Sequence, residues 1–188
     1  YYDLEFKNVT NHKEILSKNF EECSFVSCDF SETNFKNCQF KHCKFVNCNL
    51  SLITVRGCYF LNVNFEDSKL VGINWSYLLE STIKLGVPFK FLKSNISQSN
   101  FIGLNLSSIS IMESIVKEVD FRECNLSNAV LTSNDFQNSL FCNTNLVKAD
   151  FTNSTNYIIS PLENNIKGAR FSMPEASALL SGLGIEIN

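Results

Sequence analysis

Large apolar residues recur at every fifth position of the chain. The first run holds twelve such positions from Phe20 to Trp75, and the second holds thirteen from Phe91 to Phe151. All 25 are apolar although only 44% of the chain is hydrophobic, so the spacing is a structural signal. We call these positions the centres. The residue two places before each centre is mostly small, and polar residues fill most of the other places.

A period of five fits neither the helical period of an α-helix nor the simple alternation of a flat β-strand. In an extended segment, a centre and the residue two places before it point to the same side. The chain must therefore turn a corner in every unit of five and form a coil. Four such units make one turn of a square coil.

Residues 20 positions apart resemble one another, as stacked square coils require. Asn105, Asn125 and Asn145 form one such series, which predicts a ladder of side-chain amides. Stacked aromatic rings and Asn ladders suit parallel strands about 4.8 Å apart. The pattern predicts an all-β solenoid, and its predicted core columns are Phe20, Phe40 and Phe60; Phe25, Phe45 and Phe65; Phe101, Phe121 and Phe141; and Leu106, Leu126 and Leu146.

Several units resemble the A(D/N)LXX unit of pentapeptide-repeat proteins. The clearest are Cys28-Asp29-Phe30-Ser31-Glu32, Cys124-Asn125-Leu126-Ser127-Asn128 and Ala149-Asp150-Phe151-Thr152-Asn153. The resemblance covers about residues 16–75 and 89–171. It implies the right-handed quadrilateral β-helix of that family. It implies little about function, because the repeat is a scaffold.

The repeat pattern divides one domain into five segments. They are a lead-in (1–15), a first repeat block (16–75), an irregular connector or loop (76–88), a second repeat block (89–155) and a last irregular coil with a C-terminal helix and strand (156–188). The connector is either a short segment packed onto the coil or a protruding contact loop. Its candidate contact residues are Tyr77, Leu78, Leu79 and Glu80.

The C-terminal segment predicts a short amphipathic helix followed by a strand. Ser172 to Glu175 has the pattern of a capping box with an early proline, and a leucine-rich stripe follows. The open end of a solenoid needs a cover, so the helix is either an intramolecular cap or a symmetric dimer contact. The candidate cap or interface residues are Ala176, Leu179, Leu180, Leu183, Ile185 and Ile187, the last two in the predicted strand.

Composition and motifs argue against several functional classes. A net charge of −3 disfavours a basic nucleic-acid binder, and no apolar run approaches the length of a membrane span. The cysteines follow the repeat spacing and form no closely spaced ligand pairs, so we expect buried free thiols and no metal. We find no nucleophile elbow, P-loop or dinucleotide motif, and we expect neither catalysis nor a cofactor. No signal peptide is visible, which favours a cytoplasmic protein with reduced thiols.

Among pentapeptide-repeat proteins, this sequence is most similar to the bacterial Qnr quinolone-resistance group. Two repeat blocks flank an irregular segment, and a terminal helix leads into Leu183-Gly184-Ile185. The resemblance implies a homodimer joined through its C-terminal modules. It also implies a rod that imitates DNA, binds DNA gyrase or topoisomerase IV, and protects the enzyme from drugs or toxins without binding nucleic acid itself.

The charges of the two blocks differ. Residues 17–71 hold six acids and six bases, whereas residues 94–155 hold six acids and three bases. We call the six acids of the second block the acidic rim, which is either a partner-binding feature or a solvated wall. They are Glu113, Glu118, Asp120, Glu123, Asp135 and Asp150. The neutral first block leaves a second hypothesis open, a general interaction or structural scaffold with a different protein partner.

Overall fold

The computed structural model describes residues 1–10, 13–78, 89–181, 183 and 185. Within them, short strands dominate, and a four-residue α-helix, α1 (Ala178–Ser181), lies near the C-terminus. Two 3₁₀ turns span Trp75–Tyr77 and Glu175–Ser177. The strands are β1 (Glu5–Lys7), β2 (Glu14–Leu16), β3 (Asn19–Glu21), β4 (Ser24–Val26), β5 (Asn34–Lys36), β6 (Gln39–Lys41), β7 (Lys44–Val46), β8 (Tyr59–Leu61), β9 (Val63–Glu66), β10 (Phe89–Leu92) and β11 (Ser110–Met112).

Parallel ladders divide the coil into four sides. Side one is the six-stranded sheet β1-β4-β7-β9-β10-β11, side three begins with β2-β5, and side four begins with β3-β6-β8. Side two consists of single bridges, such as the one between Asp29 and Asn49. Most partners are separated by one full coil of four units, as Phe40 and Phe60 are. The predicted four-sided β-solenoid is therefore confirmed.

The centres fill the interior with stacked rings. Phe121 lies between Phe101 and Phe141, with ring centroids 5.4 Å apart on each side and interplanar angles of 9° and 17°. Neighbouring columns meet edge to face, as Phe121 and Phe136 do at 6.5 Å. Both geometries are favourable for aromatic pairs. All members of the predicted core columns are buried, including Leu106, Leu126 and Leu146.

The residues two places before the centres form a buried hydrogen-bonded ladder at the corner between sides one and two. The backbone N–H of Ser68 donates to the Ser94 hydroxyl at 3.2 Å, and that of Ser94 donates to Ser114 at 3.1 Å. The N–H of Ser114 donates to Asn134 Oδ1 at 2.9 Å. The Ser94 hydroxyl in turn donates to the Leu92 carbonyl at 3.0 Å. Small polar residues at this place thus satisfy backbone groups that would otherwise be buried without partners.

The corners are built from residues in the left-handed backbone region. Twenty-five described non-glycine residues have positive φ, most of them two places after a centre, as Asn128 is at 57°. Asn is the most frequent of them, and none is β-branched. Asn tolerates this region well, whereas a β-branched side chain is strained there. The polar corners of the sequence are therefore a backbone requirement as well as a solubility feature.

The coil begins earlier than the predicted start at residue 16. Phe6 in β1 aligns with Phe25, and Ile15 in β2 aligns with Phe35. Ile15 follows Phe6 by nine positions, one fewer than two units require, so the strict spacing of five breaks here. The frame of the repeat changes between the two blocks, because Phe65 aligns with Phe91, 26 positions away instead of 20.

The last irregular coil keeps the 20-residue spacing of the repeat, but the predicted capping box and strand that follow it need correction. A bridge joins Asp150 to Arg170 beyond the stretch. Pro174 is the N-cap of the following 3₁₀ turn and no side chain caps it, so the predicted capping box is absent. The Ser172 hydroxyl instead accepts a hydrogen bond from the Asn153 N–H at 2.9 Å, because Ser172 still belongs to the last coil. Ile185 lies outside any strand, and Ile187 lies outside the described residues.

Candidate interaction surfaces

The structure does not bring the acidic rim together on one side. Its members sit before or after centres that belong to three different sides of the solenoid. The corner glutamates Glu113, Glu118 and Glu123 end successive units of a single coil, each with positive φ. By column, Glu113 and Asp150 lie on side one, Glu118 and Asp135 on side two, and Asp120 and Glu123 on side three.

Most of the rim is paired with cations or amides of the same wall. The carboxylates of Asp120 and Asp135 contact Arg122 and Lys117 at 2.7 and 2.9 Å, respectively. Asp150 pairs with Arg170 in the next coil. Glu113 lies 3.9 Å from the Lys93 ammonium, and Glu118 accepts a hydrogen bond from Gln98 at 3.3 Å. The hydrogen bond from the Arg122 guanidinium lowers the pKa of Asp120 below its ordinary value.

Side four of the second block carries amides in place of acids. The Asn125 Nδ2 group donates to Asn105 Oδ1 at 2.9 Å, and Asn145 donates to Asn125 at 3.0 Å. The predicted Asn ladder is therefore present. Lys148 is the charged residue of this side within the second block, and Lys167 follows it in the last irregular coil. Across the described coils, the charge of the wall is alternating and local, and none of the four sides is continuously negative.

The described part of the candidate loop has one buried and one exposed residue. Leu78 is buried, which agrees with a connector packed onto the coil. Tyr77 is 50% exposed, and the Arg56 guanidinium lies over its ring, 5.1 Å from the centroid. Asn74 caps the 3₁₀ turn at the start of this segment, because its Oδ1 accepts a hydrogen bond from the Ser76 N–H at 3.1 Å. Leu79 and Glu80 lie outside the described residues.

The C-terminal segment has one leucine packed against the core and several exposed apolar residues. Leu179 packs against the core, and Ala176 is half-buried. Leu180, Leu183 and Ile185 are exposed by 38%, 42% and 51%. Three further apolar residues between positions 156 and 175, which were not among the candidate residues, are exposed by 74–77%. They are Ile158, Leu162 and Met173. The sequence feature that could have indicated Ile158 and Leu162 is that they are large and apolar but do not fall on the five-residue spacing of the centres.

The described residues were also searched for metal ligands, reactive thiols and membrane-spanning helices. No group of three or more His, Cys, Asp or Glu side chains in the described part of the chain could hold a metal ion. The cysteines are free, and all except Cys142 are buried. Burial raises the pKa of the Cys43 and Cys48 thiols to about 11 and that of Cys124 to about 12. None of the described helices is long and apolar enough to cross a membrane.

Two family models match this chain. One is described as a pentapeptide repeat region and matches residues 18–87, and the other describes pentapeptide repeats and matches residues 124–155. Together they cover more than half of the sequence. The chain is a pentapeptide-repeat protein.

Solved structures similar to this pentapeptide-repeat protein include two of QnrB1, described as a plasmid-mediated fluoroquinolone resistance protein. A trypsin-treated form is 19% identical, with a TM-score of 0.64 over 100% of this chain and 99% of that one. The full-length form is 18% identical, with a TM-score of 0.53 over 98% and 99%. These likenesses show a shared fold. A search of curated proteins found no match.

Proposed function

We propose that this pentapeptide-repeat protein binds a bacterial type II topoisomerase, DNA gyrase or topoisomerase IV, and protects it from quinolones or toxins. The observation that carries the proposal is the match to QnrB1 structures along the whole length of both chains. The matches cover 98–100% of this chain and 99% of each QnrB1 chain. QnrB1 is a plasmid-mediated fluoroquinolone resistance protein, and this role is the basis for the proposed class of function.

Imitation of DNA by this rod would rest on shape more than on charge density. On side one, successive coils stack from Phe6 to Phe171, which gives eight steps of about 4.8 Å, or an axis of about 38 Å. B-DNA of that length carries about 22 negative charges at one per ~1.7 Å. This chain has a net charge of −3, and most of its acidic rim is paired. We therefore expect binding that weakens only modestly as salt rises.

We also propose that the protein is a homodimer joined by its C-terminal segments. The exposed leucines of this segment form an apolar surface next to a helix, and isologous two-fold contacts are the commonest route to a dimer. Leu180→Asp should convert the dimer to a monomer in light scattering. Leu16→Asp is the matched control, because Leu16 is 45% exposed near the opposite end. A wild-type monomer at micromolar concentrations would contradict this proposal.

The decisive assay is DNA supercoiling by gyrase with a fluoroquinolone present, with the protein titrated in and cleavage complexes measured in parallel. We expect restored supercoiling and fewer cleavage complexes. A folded protein that changes neither measurement with gyrase or topoisomerase IV would overturn the proposal.

A charge variant tests the role of the acidic rim. Glu113→Gln, Glu118→Gln and Glu123→Gln together add three positive units of net charge at corner positions. The matched control adds the same charge at exposed corners of side four by Asn62→Lys, Ser108→Lys and Asn128→Lys. A loss of protection in the first variant alone assigns binding to the rim.

The second candidate function is a general interaction scaffold with a different protein partner. The observation that favours it is the division of the rim among three sides, with its carboxylates held in local pairs. This function predicts no effect in either topoisomerase assay. It would be refuted by strong gyrase binding that is lost in the rim variant and kept in the control.

A further inference from the structure

A groove of about 320 Å³ lies at the corner between sides one and two. It spans three successive coils, because Lys69 bridges to Asn95 and Asn95 bridges to Ile115. Described coils continue beyond both ends of the groove, since Asn49 bridges to Lys69 and Ile115 bridges to Asp135. The groove therefore belongs to the middle of the wall. Its volume is close to the lower limit of about 300 Å³ that is usual for small-molecule sites.

Two columns of side chains border the groove. The residues of the corner column have positive φ and alternate in charge; they are Asp67, Lys93 and Glu113. The column on side two holds a cation, an amide and an aliphatic side chain. Its members are Lys69, Asn95 and Ile115. Two acids and two bases therefore border one groove, and their charges balance.

One acid and one base of the groove already pair with each other, whereas the other two charges are unpaired. The Lys93 ammonium lies 3.9 Å from the Glu113 carboxylate. Asp67 and Lys69 are exposed, and neither forms an ion pair with another described residue. The groove thus offers one free anion and one free cation, which lie on either side of the corner.

The neutral residues of the lining add a hydrogen-bond donor and an apolar contact. Asn95 Oδ1 accepts the Ser97 N–H at 3.0 Å, so the Nδ2 group of the same side chain remains as a donor. Ile115 is 45% exposed, which leaves an aliphatic surface in the third coil of the groove. The buried Ser68 and Ser94 also line the groove, but the corner ladder already uses their hydroxyls.

We infer that this groove binds a free α-amino acid with an aliphatic side chain, such as leucine. The α-carboxylate accepts hydrogen bonds from the Lys69 ammonium and the Asn95 amide, and the α-ammonium lies against the Asp67 carboxylate. The aliphatic side chain packs on Ile115. Coils about 4.8 Å apart place Asn95 one step and Ile115 two steps from Lys69, so the three contacts follow one another along the ligand.

The balanced charge of the groove favours a zwitterion over a simple ion. A simple anion would be repelled by the two acids, and a simple cation would be repelled by the two bases. An α-amino acid carries both charges close together and can satisfy Asp67 and Lys69 at once. The inference goes beyond the proposed topoisomerase contact and does not depend on it, because Asp67 and Lys69 lie outside the acidic rim.

A chemical-shift titration of the isotope-labelled protein with L-leucine tests the inference, at constant ionic strength and slightly acidic pH. We expect saturable shifts centred on the backbone amides of Lys69, Asn95 and Ile115. The matched ligands are 4-methylpentanoate, which lacks the amine, and L-leucinamide, which lacks the carboxylate. Each should bind about two- to five-fold more weakly than leucine, as the loss of an exposed ion pair predicts.

Single substitutions assign each contact. Lys69→Gln should weaken leucine and 4-methylpentanoate about two- to five-fold and leave leucinamide unchanged, whereas Asp67→Asn should weaken leucine and leucinamide and leave 4-methylpentanoate unchanged. Ile115→Ser should remove the advantage of leucine over glycine, which has no side chain to bury. Lys148→Gln and Glu32→Gln are the matched controls, because they remove the same charges at other exposed places and should change no affinity.

The inference is overturned if the shifts grow linearly without saturation, if they centre on another part of the wall, or if leucine and its two analogues bind equally. Equal weakening of all three ligands by Lys69→Gln and by Asp67→Asn would refute the assigned contacts. The titration contains no topoisomerase, so a failure of this inference and a failure of the proposed function are seen separately.

Discussion

Removing the Phe121 ring should show how much one aromatic column contributes to stability. Phe121 is fully buried and stacked between Phe101 and Phe141. Burial of a Phe side chain contributes about 1.5–3 kcal/mol, and each ring pair adds about 0.5–1.5 kcal/mol beyond that. Phe121→Ala also leaves a cavity, because the two neighbouring coils are fixed by ladder hydrogen bonds. We therefore expect a loss of about 3–5 kcal/mol.

Urea unfolding monitored by circular dichroism measures this loss. Phe171→Ala is the matched control, because Phe171 is half-buried and stacks on Phe151 at 5.2 Å from one side only. It should cost about half as much. The slope of the transition must stay constant, since a repeat protein can lose coils separately. A cost below about 1 kcal/mol for Phe121→Ala, or equal costs at both sites, would refute the column argument.

Four further predictions test the wall and the corners. Ser94→Ala removes one step of the buried ladder and should cost about 1–2 kcal/mol in urea unfolding. The Ser68 N–H, which donates to the Ser94 hydroxyl, should then exchange faster. No change in either measurement would mean that a bond within the backbone turn fully replaces the lost one. Asn128→Val should cost about 1–2 kcal/mol because of its positive φ, whereas Asn128→Gly should stay within about 0.5 kcal/mol of wild type. In the native protein, 5,5′-dithiobis-(2-nitrobenzoate) should label Cys142 alone, and rapid labelling of further thiols before unfolding would contradict their burial. The lowered pKa of Asp120 adds stability that is present above its ordinary value of 3.8 and is lost as the pH falls through the folded value. Arg122→Ala should therefore remove less than about 1 kcal/mol at pH 7, and the loss should shrink as the pH falls below 3.8.

Another position of the solenoid already has alanine where Ser94→Ala would place it, and shows how the backbone responds. Where the next coil carries Ala129 at the inward place, the Ile109 N–H instead donates to the Leu106 carbonyl of its own coil at 3.1 Å. The backbone can therefore exchange a bond between coils for a bond within a turn. This exchange limits the expected cost to the lower part of the range for a buried hydrogen bond.

The predicted C-terminal helix is present as α1, but its predicted capping box is absent because tertiary contacts competed with the local motif. Ser172 has the residue type of a helix cap, but the last coil uses its hydroxyl to satisfy the Asn153 N–H. The predicted start of the coil at residue 16 was wrong for a related reason. The spacing of the first coil is one residue short, but Phe6 still pairs with Phe25 in the ladder. In both places, pairing with the neighbouring coil decided the local structure.

The sequence by itself determined the coil, its four sides and its core. A spacing of five with a second spacing of 20 favours an arrangement in which every centre is buried, and the stack through Phe101, Phe121 and Phe141 follows from it. Only the tertiary structure decided which surface residues meet. The acidic rim belongs to one repeat block in the sequence, yet successive corners point to different sides, and stacked coils supply Lys93 and Arg170 as partners.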